Sequence, residues 1–269
     1  MLIITLQKNK ENIMYKISVF LILTLFIVSP NLMAVTTDGL VGAWLFDDGT
    51  GNTVSDSSGN EHHGELVQGA PKWVDGKFGR AMNFGGTDMV TVPDSDALDL
   101  TSFTIAAWIN SPATSGRWHV IAAKEARNPT GRNYGIFGHV NTGVIHYSFT
   151  SGGWKSYDAK TNVTDGAWHH VAATYQKPNF KLYIDGKIDA EVAPNADPES
   201  NDSPLYIGGC DIGNYWMTGT IDEVVLYNRA LSEAEIAELI ADGMASVTPV
   251  EPAGKLVTTW SRIKAKAAR

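Results

Sequence analysis

From Leu40 onward, short apolar runs alternate with polar positions and are broken every few residues by glycine-rich turns. Successive strand side chains point to opposite faces, so a period of two marks a strand with one buried side. "GLVGAWLF" (39–46) reads as a first apolar strand, ended by the turn-rich "DDGTGNTVSDSSGNEHHG". "GRAMNF" and "MVTVP" follow as short strands around "GGTD". In "SFTIAAWIN", Phe103, Ile105, Ala107 and Ile109 share one face, and Thr104, Ala106 and Trp108 the other. "WHVIAAK", "NYGIFGHV" and "GVIHYSFT" continue the series, the last two separated by "NTG". In "FKLYIDGKIDAEV", Asp185-Gly186 between alternating runs predicts a two-residue hairpin turn, because glycine accepts the positive φ such turns demand. "PLYIGG" and "GTIDEVVLYN" close the sheet region. "LSEAEIAELIADG" predicts the one helix. Ser232 and Glu235 have capping-box spacing, Ile236, Leu239 and Ile240 share a face, and Gly243 ends it. At about three turns it is expected to pack across the sheet edge and seal it. A dozen or so short strands without a βαβ rhythm predict an all-β fold, a two-sheet antiparallel β-sandwich with one short C-terminal helix.

Composition agrees: the chain is 43% hydrophobic and 19% charged, with 26 glycines and 11 prolines among 269 residues. The two ends lie outside this pattern. "MYKISVFLILTLFIVSPNLMA" has a basic start at Lys16, an apolar run over 17–28 and a small residue at Ala34, the layout of a secretory signal peptide over 1–34. Met14 is the more natural start. The apolar run is short for a membrane span of about 20 residues, and an uncleaved anchor is the alternative. The expected location is therefore secreted or attached to the cell envelope, with residues 35–245 as the domain. Residues 246–269 form a proline-bearing linker and a basic tail in which Leu256, Trp260 and Ile263 recur at helical spacing. This tail reads either as a solvated extension or as an amphipathic segment that docks on an acidic partner or envelope surface.

Charge narrows the partners. Residues 35–245 carry 13 Lys and Arg against 27 Asp and Glu, a net −14, whereas the tail is +4. An acidic body repels phosphates, so nucleic acid is not expected as a ligand; cations and neutral sugars are compatible with it. The single Cys210 excludes an intramolecular disulfide.

Candidate catalytic chemistry is sparse. In "DGAWHHVAATY" strand geometry sends His169 and His170 to opposite faces, so the pair cannot converge on one metal ion. His169 shares its face with Val171, Ala173 and Tyr175, which places it at the rim of the core with a hydrogen-bond partner. His62-His63 sit in a loop. There is no HExxH helix, no GxSxG elbow and no signature of an activated thiol around Cys210. Asp222 and Glu223 are adjacent and are therefore expected on opposite faces, and no run of alternating acids marks a glycosidase strand.

The order of "GAWLFDDGTGNTVSDSSGNEHHGEL", "GKFGRAMNFGGTDMVTVP", "SFTIAAWI", "DGAWHHVAATY", "FKLYIDGK" and "GTIDEVVLYNRALSEAEIAEL" resembles the laminin-G-like/concanavalin A-like jelly roll, in its bacterial, pentraxin-related form. The resemblance runs from about Leu40 to Gly243 and makes "WHH" a label of the scaffold. It also implies a structural calcium ion held between an early loop and a late strand. Asp56, Asn60 and Asp222, with Asp47 as a fourth, are the matching oxygen donors; the alternative is that Asp56 and Asn60 only form turns. The scaffold hosts many ligands, and a sugar would need exposed rings. Tyr134 and His139, Trp154 and Tyr157, and Tyr215 and Trp216 lie near turns, with Trp154 and Trp216 flanked by glycine. Trp44, Trp108 and Trp168 lie within strand patterns and are assigned to packing. The expectation is a non-catalytic module that binds carbohydrate or a glycoconjugate, such as a glycoprotein surface. The alternatives are a protein-adhesion module without a sugar site and a glycan-cleaving enzyme whose acids the pattern does not reveal.

Overall fold

The computed structural model describes residues 36–112, 116–127, 130–213 and 215–244; the leader and the basic tail lie outside the described residues. Among these, sixteen strands form in the order β1 (Leu40–Trp44), β2 (Thr53–Val54), β3 (Gly64–Gln68), β4 (Lys72–Asp75), β5 (Arg80–Gly85), β6 (Met89–Val92), β7 (Phe103–Asn110) and β8 (His119–Arg127). Then come β9 (Thr130–Gly138), β10 (Val144–Thr150), β11 (Trp154–Asn162), β12 (Trp168–Gln176), β13 (Asn179–Ile184), β14 (Lys187–Val192), β15 (Leu205–Ile207) and β16 (Thr218–Tyr227), followed by the helix α1 (Glu233–Asp242). One sheet runs β14-β13-β12-β7-β16-β5-β4, with β1 also on β16; the other runs β11-β10-β9-β8-β15-β6-β3-β2. This is the antiparallel two-sheet sandwich that the pattern predicts, in the jelly-roll form that the resemblance implies.

The core lies between the sheets and takes alternate residues from each strand. From β7 it takes Phe103, Ile105, Ala107 and Ile109; from β12, Val171, Ala173 and Tyr175. Phe103 stacks on Tyr147 at 5.4 Å and lies 6.2 Å from Tyr134 and 5.6 Å from Tyr175. The β13–β14 turn is tight because Asp185 and Gly186 both adopt positive φ, 49° and 78°, as a type I′ turn requires.

The two outer faces differ. On the first sheet, Ala43, Val225, Ala106, Ala172 and Tyr183 are register partners in one row across β1, β16, β7, β12 and β13. Three alanines leave room for a helix, and α1 packs Ile236 and Leu239 there, each contributing about 2 kcal/mol by burial. The helix thus covers a face of the sheet, not its edge as the sequence suggests. Its capping box is present: Ser232 Oγ accepts from Glu235 N, and Glu235 accepts from Ser232 N. On the second sheet, Cys210, Ile212, Tyr215 and Trp216 pack over Met89, Val120, Ala123 and Tyr206. They leave the part over β9, β10 and β11 uncovered.

Candidate functional site

That uncovered part is a cleft of about 150 Å³ lined by Trp118, Arg132, Phe137, His146, Ser148, Trp154, Ser156 and Tyr215. The antiparallel register builds it. His146 and Ser148 of β10 face Asp158 and Ser156 of β11, and Thr150 faces Trp154. Ile145, Tyr147 and Phe149 point inward in alternation with them. Trp118 stands at one wall, with ring centroids 4.7 Å from His139, 4.6 Å from His146 and 6.4 Å from Tyr215. Trp154 stands at the other, 49% exposed.

Arg132 reaches this face through a β-bulge. Lys124 pairs with Tyr134 and Glu125 with Arg132, so Asn133 is an extra residue that reverses the alternation. Tyr134 therefore points into the core while Arg132 points out. Its guanidinium lies 4.2 Å from the Phe137 ring centroid and 5.0 Å from that of Trp154. It donates to Ser148 Oγ and, at 2.7 Å, to Glu125 Oε1. Burial raises the Glu125 pKa, opposed by the charge and hydrogen bond of Arg132. Burial lowers that of His146, against the hydrogen bond of its Nδ1 to Asp158 Oδ1 at 2.6 Å. Two larger grooves, of about 760 and 600 Å³, are lined mainly by polar residues such as Asp96 and Asp99 or Lys177 and Lys181. Neither presents facing aromatic rings.

Of the rings singled out from sequence, the structure brings Trp154 and Tyr215 together and places His139 beside Trp118. Tyr134 is fully buried among core rings. Tyr157 points inward, 5.0 Å from Phe180. Trp216 packs against the cluster of Met89, Val120 and Tyr206 and does not line the cleft. Trp118, Arg132, Glu125 and His146 went unnoticed in the sequence. Trp118, which opens "WHVIAAK", reads there as the start of an ordinary strand.

The proposed calcium donors divide into two groups. The Asp56 carboxylate accepts from Ala43 N, Ser58 N and His62 N, each at 2.9 Å. Asn60 Nδ2 donates to Leu40 O and Val41 O. Both thus hold the loop together. Asp47 and Asp222 instead come within electrostatic range of each other, and Glu223 joins them. A second bulge, between Asp222 and Val225, with Glu223 at φ 53°, breaks the strand's alternation. Ile221 and Val224 face the core. Asp222 accepts from Lys77 N and Phe78 N, and Glu223 from Met244 N, all on the outer side. Adjacent acids that a regular strand would separate therefore share one face. Asp222 Oδ1 and Glu223 Oε1 are buried without a partner. Burial first, then the neighbouring acids, raise both pKa values to about 7, against their backbone hydrogen bonds. Among the described residues no three His, Cys, Asp or Glu side chains already close on one metal position. The two orphaned oxygens are of the hard donor type that calcium takes.

The histidine pair separates as strand geometry requires. His169 sits at the rim with Nδ1 2.8 Å from Asp185 and Nε2 3.2 Å from Asp165. His170 is buried against Trp108 and held near pKa 4 by desolvation. Burial pushes the Cys210 thiol up to about 12, leaving it a poor nucleophile at neutral pH. Trp44 and Trp108 are buried, as packing residues should be.

A family model described as the concanavalin A-like lectin/glucanases superfamily, of laminin G type, matches residues 84–237, more than half of the chain. The chain belongs to this superfamily. No curated protein matches it. Solved structures with the concanavalin A-like fold do. Domain 4 of the extracellular arabinanase AbnA from Geobacillus stearothermophilus, in complex with arabinotriose, is similar at TM-score 0.62 and 21% identity, over 75% of this chain and 98% of that one. The binding domain of Paraclostridial Mosquitocidal Protein 1 is similar at TM-score 0.62 and 18% identity, over 76% of this chain and 52% of that one. Trypanosoma rangeli sialidase is similar at TM-score 0.62 and 19% identity, over 82% of this chain and 36% of that one. At these identities the similarity defines the superfamily fold, and the ligand has to be argued from the cleft.

Proposed function

We propose that the chain is a non-catalytic glycan-binding module, exported by its N-terminal signal and stabilised by a structural calcium ion. The observation that carries the glycan reading is the cleft over β9–β11, where an exposed Trp154 faces Trp118 and Tyr215 across a floor of Arg132, Ser148 and His146. Sugars offer an apolar ring face and a rim of hydroxyls, and this lining offers an indole plane beside donors and acceptors. The arabinotriose complex of the Geobacillus domain supports the assignment. For the cation, the supporting observation is the pair of orphaned buried oxygens on Asp222 and Glu223, with Asp47 as the third acid. Bound there, calcium would neutralise the buried acids and tie β16 to the 76–79 loop.

Trp154→Ala tests the glycan reading. With half of the side chain in solvent, the substitution should leave the melting temperature nearly unchanged. It should weaken binding on a glycan array by about tenfold or more. Wild-type binding by the variant would remove the cleft from the reading. Release of reducing ends from mixed polysaccharides would instead identify an enzyme.

A further inference from the structure

The same cleft carries a statement about which sugars it takes, resting on its reading as a glycan site. Arg132 is the one permanently charged residue in its lining, which contains no lysine and no carboxylate. An arginine in a sugar site invites an anionic ligand such as a uronic acid or a sulfated residue. Here, however, the guanidinium is already paired from beneath by Glu125 at 2.7 Å, with side-chain exposures of 6% and 2%. Its faces are occupied by Phe137 and Trp154. A second anion would gain little from a charge already neutralised and would be repelled by Glu125 at short range.

The rest of the lining points the same way. Arg132 Nε and Glu125 Oε2 are buried below the cleft surface, so a bound sugar meets the neutral side chains around the ion pair. Hydroxyl groups both give and accept hydrogen bonds, which suits them to the hydroxyls of a sugar. Ser148 and Ser156 add neutral hydroxyls, and His146 is tied to Asp158. The net −14 of residues 35–245 repels polyanions before contact. At about 150 Å³, half of a small drug-sized pocket of ~300 Å³, the space holds one sugar ring. We infer that the cleft selects a neutral, diol-bearing sugar residue and rejects carboxylated and sulfated ones.

Affinity electrophoresis of the purified protein against matched polysaccharides tests this, for example galactan with polygalacturonate and arabinan with heparin, each with wild type and Trp154→Ala. The expected result is retention by neutral members at least about tenfold stronger than by acidic ones. It should change little up to roughly 0.5 M NaCl and be lost in Trp154→Ala. Retention by acidic members that equals or exceeds the neutral ones and depends on Trp154 would overturn the sugar class while leaving the cleft as the site. Retention by neither, or retention indifferent to Trp154→Ala, would overturn both. Glu125→Gln removes the compensating charge. In a variant that still melts cooperatively, acidic members should gain relative to neutral ones; unchanged selectivity would overturn the role given to Glu125.

Discussion

At the scale of single residues, Asp222 and Glu223 make stability depend on pH. Each carboxyl titrates near 7 in the fold, raised first by burial, and near 4 in an unfolded chain. Between those values the folded state holds more protons than the unfolded one. The stability these groups contribute therefore falls as pH rises from about 4 to about 7 and levels off above. Other groups act in the opposite sense: burial lowers the pKa of His119, His146 and His170, so their contribution rises with pH below about 6.5. The difference between wild type and Asp222→Asn/Glu223→Gln isolates the acids. In chelator, the wild type should lose melting temperature relative to the double variant as pH rises from about 5 to 8. Calcium should restore it at pH 8 and do little near pH 5, where protons compete for the same oxygens. A calcium response that survives the double substitution would place the ion elsewhere.

Helix α1 is held by an element-scale fit between its apolar stripe and the row of Ala43, Ala106 and Ala172 beneath it. Ala172→Leu would push the helix off the sheet and should cost about 1–3 kcal/mol. Ser232→Ala removes only the cap and should cost about 1 kcal/mol. Denaturant titration checks both, and an unchanged midpoint for Ala172→Leu would mean that the helix does not depend on the close approach. Such elements were largely legible in the sequence. Alternation in "SFTIAAWIN" and "WHHVAATY" assigns inner and outer faces correctly, the capping box begins the helix, and Asp185-Gly186 makes the turn. What alternation could not show is where it fails. An extra Asn133 turns Arg132 outward, and the bulge at Glu223 brings two acids to one face. Both reversals depend on the partner strand's register, which no single strand's sequence states, and both set the chemistry of a site. The same bulge turns Tyr134 into the core, so a ring whose place near a turn suggests exposure is buried.

For the whole molecule, the arrangement of the two sheets separates the proposed glycan cleft from the proposed cation site. The cleft occupies the outer face of one sheet, and the acid cluster the outer face of the other. The aromatic core around Phe103, Tyr147 and Tyr175 lies between them, in a sandwich whose sheets pack about 10 Å apart. Hydrogen bonds from Lys160 N and Thr161 to Asp189 tie β11 to β14, so one side of the sandwich is closed by side chain as well as by packing. Among the described residues, Arg132 and His146 bond to Glu125 and Asp158, whereas Asp222 and Glu223 accept from Lys77, Phe78 and Met244, so the two sites share no partner. Changes at well-separated sites without shared partners act additively. Removing calcium should therefore lower the melting temperature while leaving glycan affinity near 20 °C within about twofold of its starting value. Calorimetric titration of the glycan with and without chelator, well below the melting transition, measures this directly. A parallel loss of affinity would mean that the acid cluster sets the strand register under the cleft and that the two faces act as one unit.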